Sequence, residues 1–311
     1  MRATLYQLSS LVLRNRQPLE TMKKFFFALL RSTRVISVIA RLNRKRVPIL
    51  CYHSVTDGAE AVQPDPHKQH IPLQLFLQHL DYLKKKYNVV SLPEFQKATR
   101  ERRALPDYSV VLTFDDGFED FYKVAAPHLY QRKLPATVFV ITDRADDRCA
   151  SNGESFLSWD EIRELASSGI DIGSHTCSHP YLPDLSVLDV TKELSESQAA
   201  IRSQLGQAQV SLSYPYGQVS ESISRLARSI GYSCAIASDA GPNDQTANLY
   251  ELSRTVIASD DDIATFSARV SGLTWWIGRV RRWFDPETND LREPSFSRRY
   301  GSAAAQSYLD S

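Results

Sequence analysis

The chain has no pair of cysteines spaced as a redox or zinc motif. Cys51, Cys149, Cys177 and Cys234 are scattered over 311 residues, which excludes a C-x-x-C site and a disulfide-dense scaffold. Such usage fits reduced thiols, and the cytoplasm is the expected location. Acid is nearly missing from the start. Residues 1–46 carry Arg2, Arg14, Arg16, Lys23, Lys24 and further arginines and lysines through Arg46, against Glu20 alone. Long apolar runs are missing too. FFFALL (25–30) is broken by Arg31 and Arg34, short of a secretory core of roughly 7 to 15 residues and of the ~20 that span a bilayer. No internal repeat, low-complexity segment or nucleic-acid motif accompanies the basic arm, so nucleic acid is not an expected partner.

What is present describes an ordinary globular protein. Hydrophobic residues make up 42% and charged residues 23%, a balance that supports a packed core, and the length suits a single α/β barrel. Three regions are expected: a basic N-terminal arm (1–46), a catalytic domain (47–270) and an aromatic, basic tail (271–311). In the arm, Phe25, Phe26, Leu29, Leu30, Ile36 and Ile39 interleave with arginines. That pattern fits an amphipathic helix, either lying on a membrane surface or packed on the domain. The tail begins with WWIGRVRRWF (275–284) and continues as polar sequence expected to be loose.

Between arm and tail, strand-like runs alternate with helical patterns. VPILCY (47–52), SVVLTF (109–114), ATVFVI (136–141), GIDIGS (169–174), VSLSY (210–214), YSCAIA (232–237) and LSRTVI (252–257) read as strands. Helices are expected at 73–87, 118–132, 159–168, 186–205 and 219–229. Such alternation predicts parallel βαβ units. Tyr52-His53, Asp115-Asp116, His175 and Pro215-Tyr216-Gly217 each end one of these strands. In a parallel barrel those ends share the face that carries the active site.

Two motifs carry chemistry. In SHTCSH (174–179), His175 and His179 are four residues apart, so on a helical turn both imidazoles would grip one ion. In TFDDG (113–117), two carboxylates follow a buried strand. One can complete a two-histidine, one-carboxylate metal set with open positions, while its neighbour acts as a base on an attacking water. A simple helix N-cap would explain one aspartate and not both.

TFDDG followed by His-x-x-x-His, with ILCYHSV before and SYPYG after, resembles the polysaccharide deacetylase family, the NodB-homology group or fourth family of carbohydrate esterases. The resemblance spans about residues 47–258. It implies a distorted (β/α) barrel, Asp115 as general base, and Asp116, His175 and His179 holding a divalent metal, with zinc first and cobalt, nickel or manganese as alternatives. It implies a substrate as well: an N-acetylated glycan that loses acetate, with the oxyanion held by the metal and the backbone N–H of Tyr216.

Two departures stand out against that family. Ser213 occupies the place of an arginine that orients the base, and Leu252-Ser253-Arg254 replaces the usual Leu-x-His, whose histidine protonates the departing amine. Arginine stays protonated and cannot fill that role. His53 becomes the candidate acid or substrate contact, and a protonated Asp115 is another source of the proton. Arg254 is left to stabilise charge or bind substrate. The expected activity is metal-dependent N-deacetylation of an N-acetylhexosamine polysaccharide or glycan precursor in exopolysaccharide or envelope metabolism. An O-deacetylase, another amidohydrolase, or a glycan-binding pseudo-enzyme are the alternatives. Peripheral membrane contact through arm and tail is the further partner expectation.

Overall fold

The computed structural model describes residues 34–58, 68–147, 154–238 and 241–284. Most of the arm, the sequence beyond 284, Cys149, His67 and Asp239 lie outside them.

The elements run α1 (Val35–Leu42), β1 (Ile49–Tyr52), β2 (Ser54–Thr56), β3 (His70–Pro72), α2 (Leu73–Lys86), β4 (Asn88–Val89), α3 (Leu92–Arg100) and β5 (Ser109–Phe114). They continue through α4 (Ala126–Arg132), β6 (Thr137–Val140), α5 (Trp159–Ser167), β7 (Asp171–Ser174), α6 (Val187–Leu205), β8 (Leu212–Ser213) and α7 (Glu221–Ile230). The last are β9 (Ala235–Ile236), β10 (Thr255–Val256), α8 (Ile263–Val270) and α9 (Leu273–Phe284).

One parallel sheet organises the fold, in the order β10-β1-β5-β6-β7-β8-β9, with β4 added beside β5. Its two ends are drawn together. Ile236 on β9 bridges Leu252, and the Ala235 N–H donates to Leu249 and that of Ala237 to Leu252, in the segment that leads into β10. The result is a short, distorted (β/α) barrel. Strand β5 is buried along its whole length, as a strand covered on both sides must be. Its inward and outward residues feed two apolar layers: Val110, Leu112 and Phe114 pack with α2, α4 and α5, while Val111 packs with Ile49, Phe139 and Leu252 inside the barrel.

Local sequence explains most helix starts. Ser91, Ser158, Ser186, Ser220 and Asp262 cap α3, α5, α6, α7 and α8 with their side-chain oxygens, each satisfying an N–H that the helix leaves open. Ser158 and Glu161 form a full capping box. Gly206 and Gly231 end α6 and α7 with positive φ, the conformation glycine adopts without strain.

Several elements differ from expectation. The helix expected from 118 opens as a wider π turn over Phe121–Ala125 before α4, and Pro127, which has no N–H to continue the ladder, sits at that junction. Helices α3 and α8 and the β2–β3 ribbon go beyond the alternation read from the sequence. Residues 273–284, the aromatic and basic opening of the tail, for which no element was expected, form α9. Helix α1, the described part of the arm, buries Ile36 against Ala268 of α8 and Leu273 of α9.

Candidate active site

The C-terminal ends of β1, β5, β7 and β8 meet at one mouth, and the residue that leads into β10 reaches it from inside the barrel. Together they contribute His53, the Asp115-Asp116 pair, the 174–179 loop, the Ser213–Gly217 turn and Arg254. Pairing fixes their relation: Tyr52 lies opposite Phe114 across β1 and β5, and the Asp115 N–H donates to the Tyr52 carbonyl at 3.0 Å. Residues far apart in sequence become neighbours because the parallel strands stand side by side around the barrel.

Asp116, His175 and His179 form a compact set of donors. His175 Nε2 lies 3.4 Å from Asp116 Oδ1, and His179 Nε2 lies 3.7 Å from the same oxygen. The two imidazole centroids are 4.7 Å apart. His175 directs Nδ1 to the carbonyl of Ser213 at 2.7 Å, so that nitrogen carries the proton and Nε2 turns its lone pair to the set. Burial holds His179 well below the ordinary histidine range, with His175 adding to the effect, and burial also lowers His175. Neutral imidazole is the ligand form. Burial and the neighbouring Asp115 charge push the Asp116 carboxyl well above its usual range. Two neutral imidazoles and a carboxylate pressed against a second carboxylate make a donor set that a divalent cation would complete.

The histidines do not meet on a helical turn. Residues 175–179 form an irregular loop in which Thr176 (φ 69°) and His179 (φ 64°) are left-handed. Asp116 (φ 70°) and Tyr216 (φ 57°) are left-handed as well. Each such residue costs on the order of 1–3 kcal/mol, so four around one mouth mark where the chain is bent for geometry. The loop is held from inside and from outside. Ser174 Oγ accepts from the Thr176 N–H and Thr176 Oγ1 from the His179 N–H, both at 3.1 Å. From α6, Glu193 accepts the N–H groups of Cys177 (2.9 Å) and Ser178 (3.0 Å) and the Ser178 hydroxyl (2.7 Å). Glu193 was not legible beforehand: it lies more than ten residues from the loop, on a helix whose charges otherwise read as solvated.

Asp115 is organised differently. Its Oδ2 accepts from Arg254 Nη1 at 2.5 Å and from the Ser213 hydroxyl at 3.1 Å, while the same Nη1 reaches Ser213 Oγ at 2.9 Å. Its Oδ1 is buried and has no hydrogen-bond partner. Burial would raise this carboxyl, but the charge of Arg254, with smaller contributions from His175 and His53, outweighs it and leaves Asp115 well below the usual range. The two departures noted in the sequence are thus one arrangement. Arg254, with a side chain only 3% exposed, reaches from just before β10 over the short Ser213 to Asp115, where an arginine on β8 would otherwise stand. The guanidinium faces the carboxylate instead of solvent.

His53 is half-buried, its Nδ1 is enclosed without a hydrogen-bond partner, and desolvation lowers it to about 4. The next residue, Ser54, donates its hydroxyl to Asp120, and His70 Nδ1 lies 2.8 Å from that hydroxyl. Asp120 therefore ties the segment after the aspartate pair to the segment that carries His53. Tyr216 sits on the turn after β8 with its ring 4.8 Å from that of His179, and Tyr181 lies beyond it at 6.0 Å. A second trio, Cys51, His53 and Asp115, also brings ligand-type atoms together. It is a poor cation site, because burial keeps the Cys51 thiol protonated and the Arg254 charge already faces Asp115. His79 packs in the core against Phe266 and the Asp261 carbonyl, away from this mouth.

Comparison with known proteins agrees with this geometry. Residues 102–235 match the family described as polysaccharide deacetylase. Over 229 residues the chain is 25% identical to YxkH of Bacillus subtilis (strain 168), a protein described provisionally as a polysaccharide deacetylase, covering 73% of this chain and 77% of that one. It is 33% identical over 105 residues to the poly-beta-1,6-N-acetyl-D-glucosamine N-deacetylase of Escherichia coli (strain K12), covering 30% of this chain but only 16% of that protein's length. Among solved structures, the Streptococcus pyogenes deacetylase PplD, in complex with acetate, superimposes with a TM-score of 0.64 at 26% identity, over 72% of this chain and 98% of that one. The strand-end aspartate pair, the two histidines and the parallel barrel that converges them therefore have a common explanation: the chain is similar to the polysaccharide deacetylases, which are hydrolases, through the segment 102–235 that matches their family and through its fold, and it departs from them at Ser213 and Arg254.

Proposed function

We propose that this protein removes N-acetyl groups from an N-acetylhexosamine polysaccharide, using a divalent cation, zinc first, held by Asp116, His175 and His179. The N-acetylglucosamine polymer named for the Escherichia coli relative supports that substrate class. A cation bound by these three side chains would supply Lewis acidity and acidify a water molecule.

The observation that carries the reading is the asymmetry of Asp115. One oxygen is tied to Arg254 and Ser213, and the other is buried without a partner. A carboxylate so held has a fixed direction for its free lone pairs, which is what a general base needs. Asp115 Oδ1 takes the proton of the attacking water; Arg254 keeps the carboxylate ionised and aimed. The Tyr216 N–H, on its left-handed turn, contributes to binding the oxyanion. His53 is neutral in the resting site, so its proton must arrive during turnover, from Asp115 or from water, before it passes to the departing amine. Until then it serves as a hydrogen-bonding contact for the acetamide.

One observation favours a second reading. Arg254 cannot donate a proton, and His53 is held neutral. An ester leaves as an alkoxide with less need of a proton than an amide, so O-deacetylation fits the same residues. Acetate release from β-1,6-linked N-acetylglucosamine oligomers, with parallel assay of free amine, separates the two. Chelator-sensitive acetate with one new amine per acetate supports the N-deacetylase. Acetate from O-acetylated sugars alone supports the esterase, and neither product, with no cation retained, supports a binding relic.

A further inference from the structure

The end of the barrel opposite the mouth carries features the chemistry does not use. Helix α1 is fixed there. The Arg44 carbonyl accepts from the Tyr108 N–H at 2.6 Å, just before β5 begins, and Val47 pairs with Asn243 just before β1. Helix α9 starts at the same end, because Asn43 Nδ2 donates to the Ser271 carbonyl at 2.9 Å and Leu273 packs on Ile36. The two helices thus lie together under the N-terminal ends of the strands.

Their surface is unusual in two respects. Val38 (57% exposed) and Leu42 (68%) on α1, and Trp276 and Ile277 (both 40%) on α9, are the large apolar side chains they show to solvent. The two segments themselves carry positive charge and no acid. Residues 34–48 and 271–284 contain Arg34, Arg41, Arg44, Lys45, Arg46 and Arg279 among their basic residues and no aspartate or glutamate. Arg46 and Arg279 place their guanidinium groups 5.3 and 5.0 Å from the centre of the Trp275 ring. Of these cations, Arg44 is paired with Asp107, and the charge of Arg46 reaches Asp244.

We propose that this α1–α9 face is a docking surface for an anionic lipid bilayer, and that it holds the barrel mouth away from the membrane. Single apolar side chains spaced between arginines match the boundary of headgroups and acyl chains, where the ring or aliphatic part enters and the charge stays with phosphate. Residues 1–33 continue the same composition in sequence, with Phe25, Phe26 and Leu29 beside Lys23, Lys24 and Arg31, so the charge that draws the face to anionic lipid extends beyond it. Among the described residues no helix is long and apolar enough to cross a membrane, which leaves the surface mode for this face.

The orientation has a consequence for the substrate, which rests on the deacetylase reading. The strands between face and mouth are up to six residues long, so the mouth opens on the order of 20 Å further from the bilayer. A sugar joined directly to a lipid headgroup would sit on the wrong side. A polymer long enough to leave the surface and return to the mouth fits.

The test is sedimentation of the full-length protein with vesicles of phosphatidylcholine alone and of phosphatidylcholine mixed with phosphatidylglycerol, at low and raised salt. Wild type is expected to bind the mixed vesicles, to lose that binding with salt, and to ignore phosphatidylcholine alone. Leu42→Ser with Trp276→Ser, and separately Arg41→Glu with Arg279→Glu, should each weaken binding about tenfold or more. All four side chains reach solvent, so unchanged melting temperatures should accompany the loss, and the charge pair decides the matter if the apolar pair misfolds. Vesicle-bound enzyme should deacetylate soluble oligomers as fast as free enzyme. Binding that survives both pairs of substitutions would assign it to residues 1–33 alone and overturn the docking face. So would a dimer, seen by light scattering, that the same substitutions dissolve. Activity lost on vesicles but kept in solution would overturn the orientation. Vesicle binding is read without acetate release, so a failed deacetylase assay leaves this result standing.

Discussion

The mouth has two halves that were built in different ways. On one side, β5 and β7 bring Asp116, His175 and His179 together from two contiguous motifs, and each motif can be read in a single stretch of sequence. On the other, β1, β8 and β10 bring His53, Ser213 and Arg254 around Asp115 from three strands, each contributing a residue that means little alone. The first half keeps the pattern expected from the resemblance to polysaccharide deacetylases. The second has exchanged parts, with an arginine moved from the end of β8 to the start of β10. The comparison teaches that a donor set depends on which residues are present, whereas a positioning contact depends only on what arrives at the same point in space. Any strand end within reach can supply that contact.

The largest effect should come from separating the halves at Asp115. Asp115→Asn removes the base and leaves the three cation ligands in place. Turnover should fall by roughly a thousandfold or more, with cation content by atomic emission close to that of wild type. His175→Ala should lose activity to a similar degree and lose the cation as well. If Asp115→Asn also empties the cation site, the two halves are a single unit and the division drawn here fails.

Arg254 tests the exchange itself. In Arg254→Met, Asp115 would be a buried carboxylate without its cation, which costs about 3–5 kcal/mol of stability and on the order of a hundredfold in kcat/KM. The direction with pH follows from the charge. In wild type the Asp115 carboxyl lies below its usual range, so its contribution to stability is present above the unfolded value near pH 4 and fades only as pH falls below that. Without Arg254 that depression is gone, and the acid limb of the rate profile should move to higher pH. Returning the arginine to its other position, as Arg254→His with Ser213→Arg, should recover part of both losses. A double variant no better than Arg254→Met would mean that Arg254 does something other than hold Asp115.

His53 is the weaker contributor in this account. His53→Gln preserves a polar group and removes the titratable one. If His53 passes a proton to the leaving amine, kcat should drop about a hundredfold with KM little changed. If it only contacts the acetamide, KM should rise and kcat hold. Burial has lowered His53 to about 4, so no step in the wild-type profile near pH 6.5 is expected from it. Such a step, absent in the glutamine variant, would contradict a neutral resting histidine.

How legible each half was follows from the range of its contacts. SVVLTF, TFDDG and SHTCSH could be read because burial, alternation and ligand spacing act within about ten residues, and β5 and β7 lie where those patterns put them. The helical turn expected for His175 and His179 was wrong in conformation, since spacing of four fits a strained loop as well as a helix, and the left-handed Thr176 leaves no trace in residue type. Arg254 in place of histidine could be noticed, but its partner could not be named, because the register between β10 and β1 decides what it reaches. Glu193 and Asp120 were missed for a related reason. Their work is done by hydrogen bonds to backbone and hydroxyl groups, which every sequence offers everywhere. Helix α9 was given no element in the sequence reading because its aromatic and basic residues have no partner in sequence; Leu273 finds Ile36 only in the fold.

Asp120 offers the smallest and most specific test. It joins the two halves by accepting from Ser54 beside His53, and burial raises its carboxyl to about 7 although that hydrogen bond pulls the other way. In the unfolded chain the same group ionises near pH 4. Between those values the folded protein holds a proton that the unfolded chain has released, so stability falls as pH rises through this window. A shift of that size corresponds to as much as about 4 kcal/mol across the window. Asp120→Asn keeps a side-chain oxygen for the Ser54 hydroxyl and carries no titrating proton. Urea unfolding of both proteins at pH 5 and pH 8 should show the variant losing less stability than wild type between the two, with turnover at pH 7 within a few-fold of wild type. Equal pH dependence in the two would mean that Asp120 is ionised in the fold. The link between the halves would then be a charged one, and Asp120→Asn should disturb His53 enough to lower kcat.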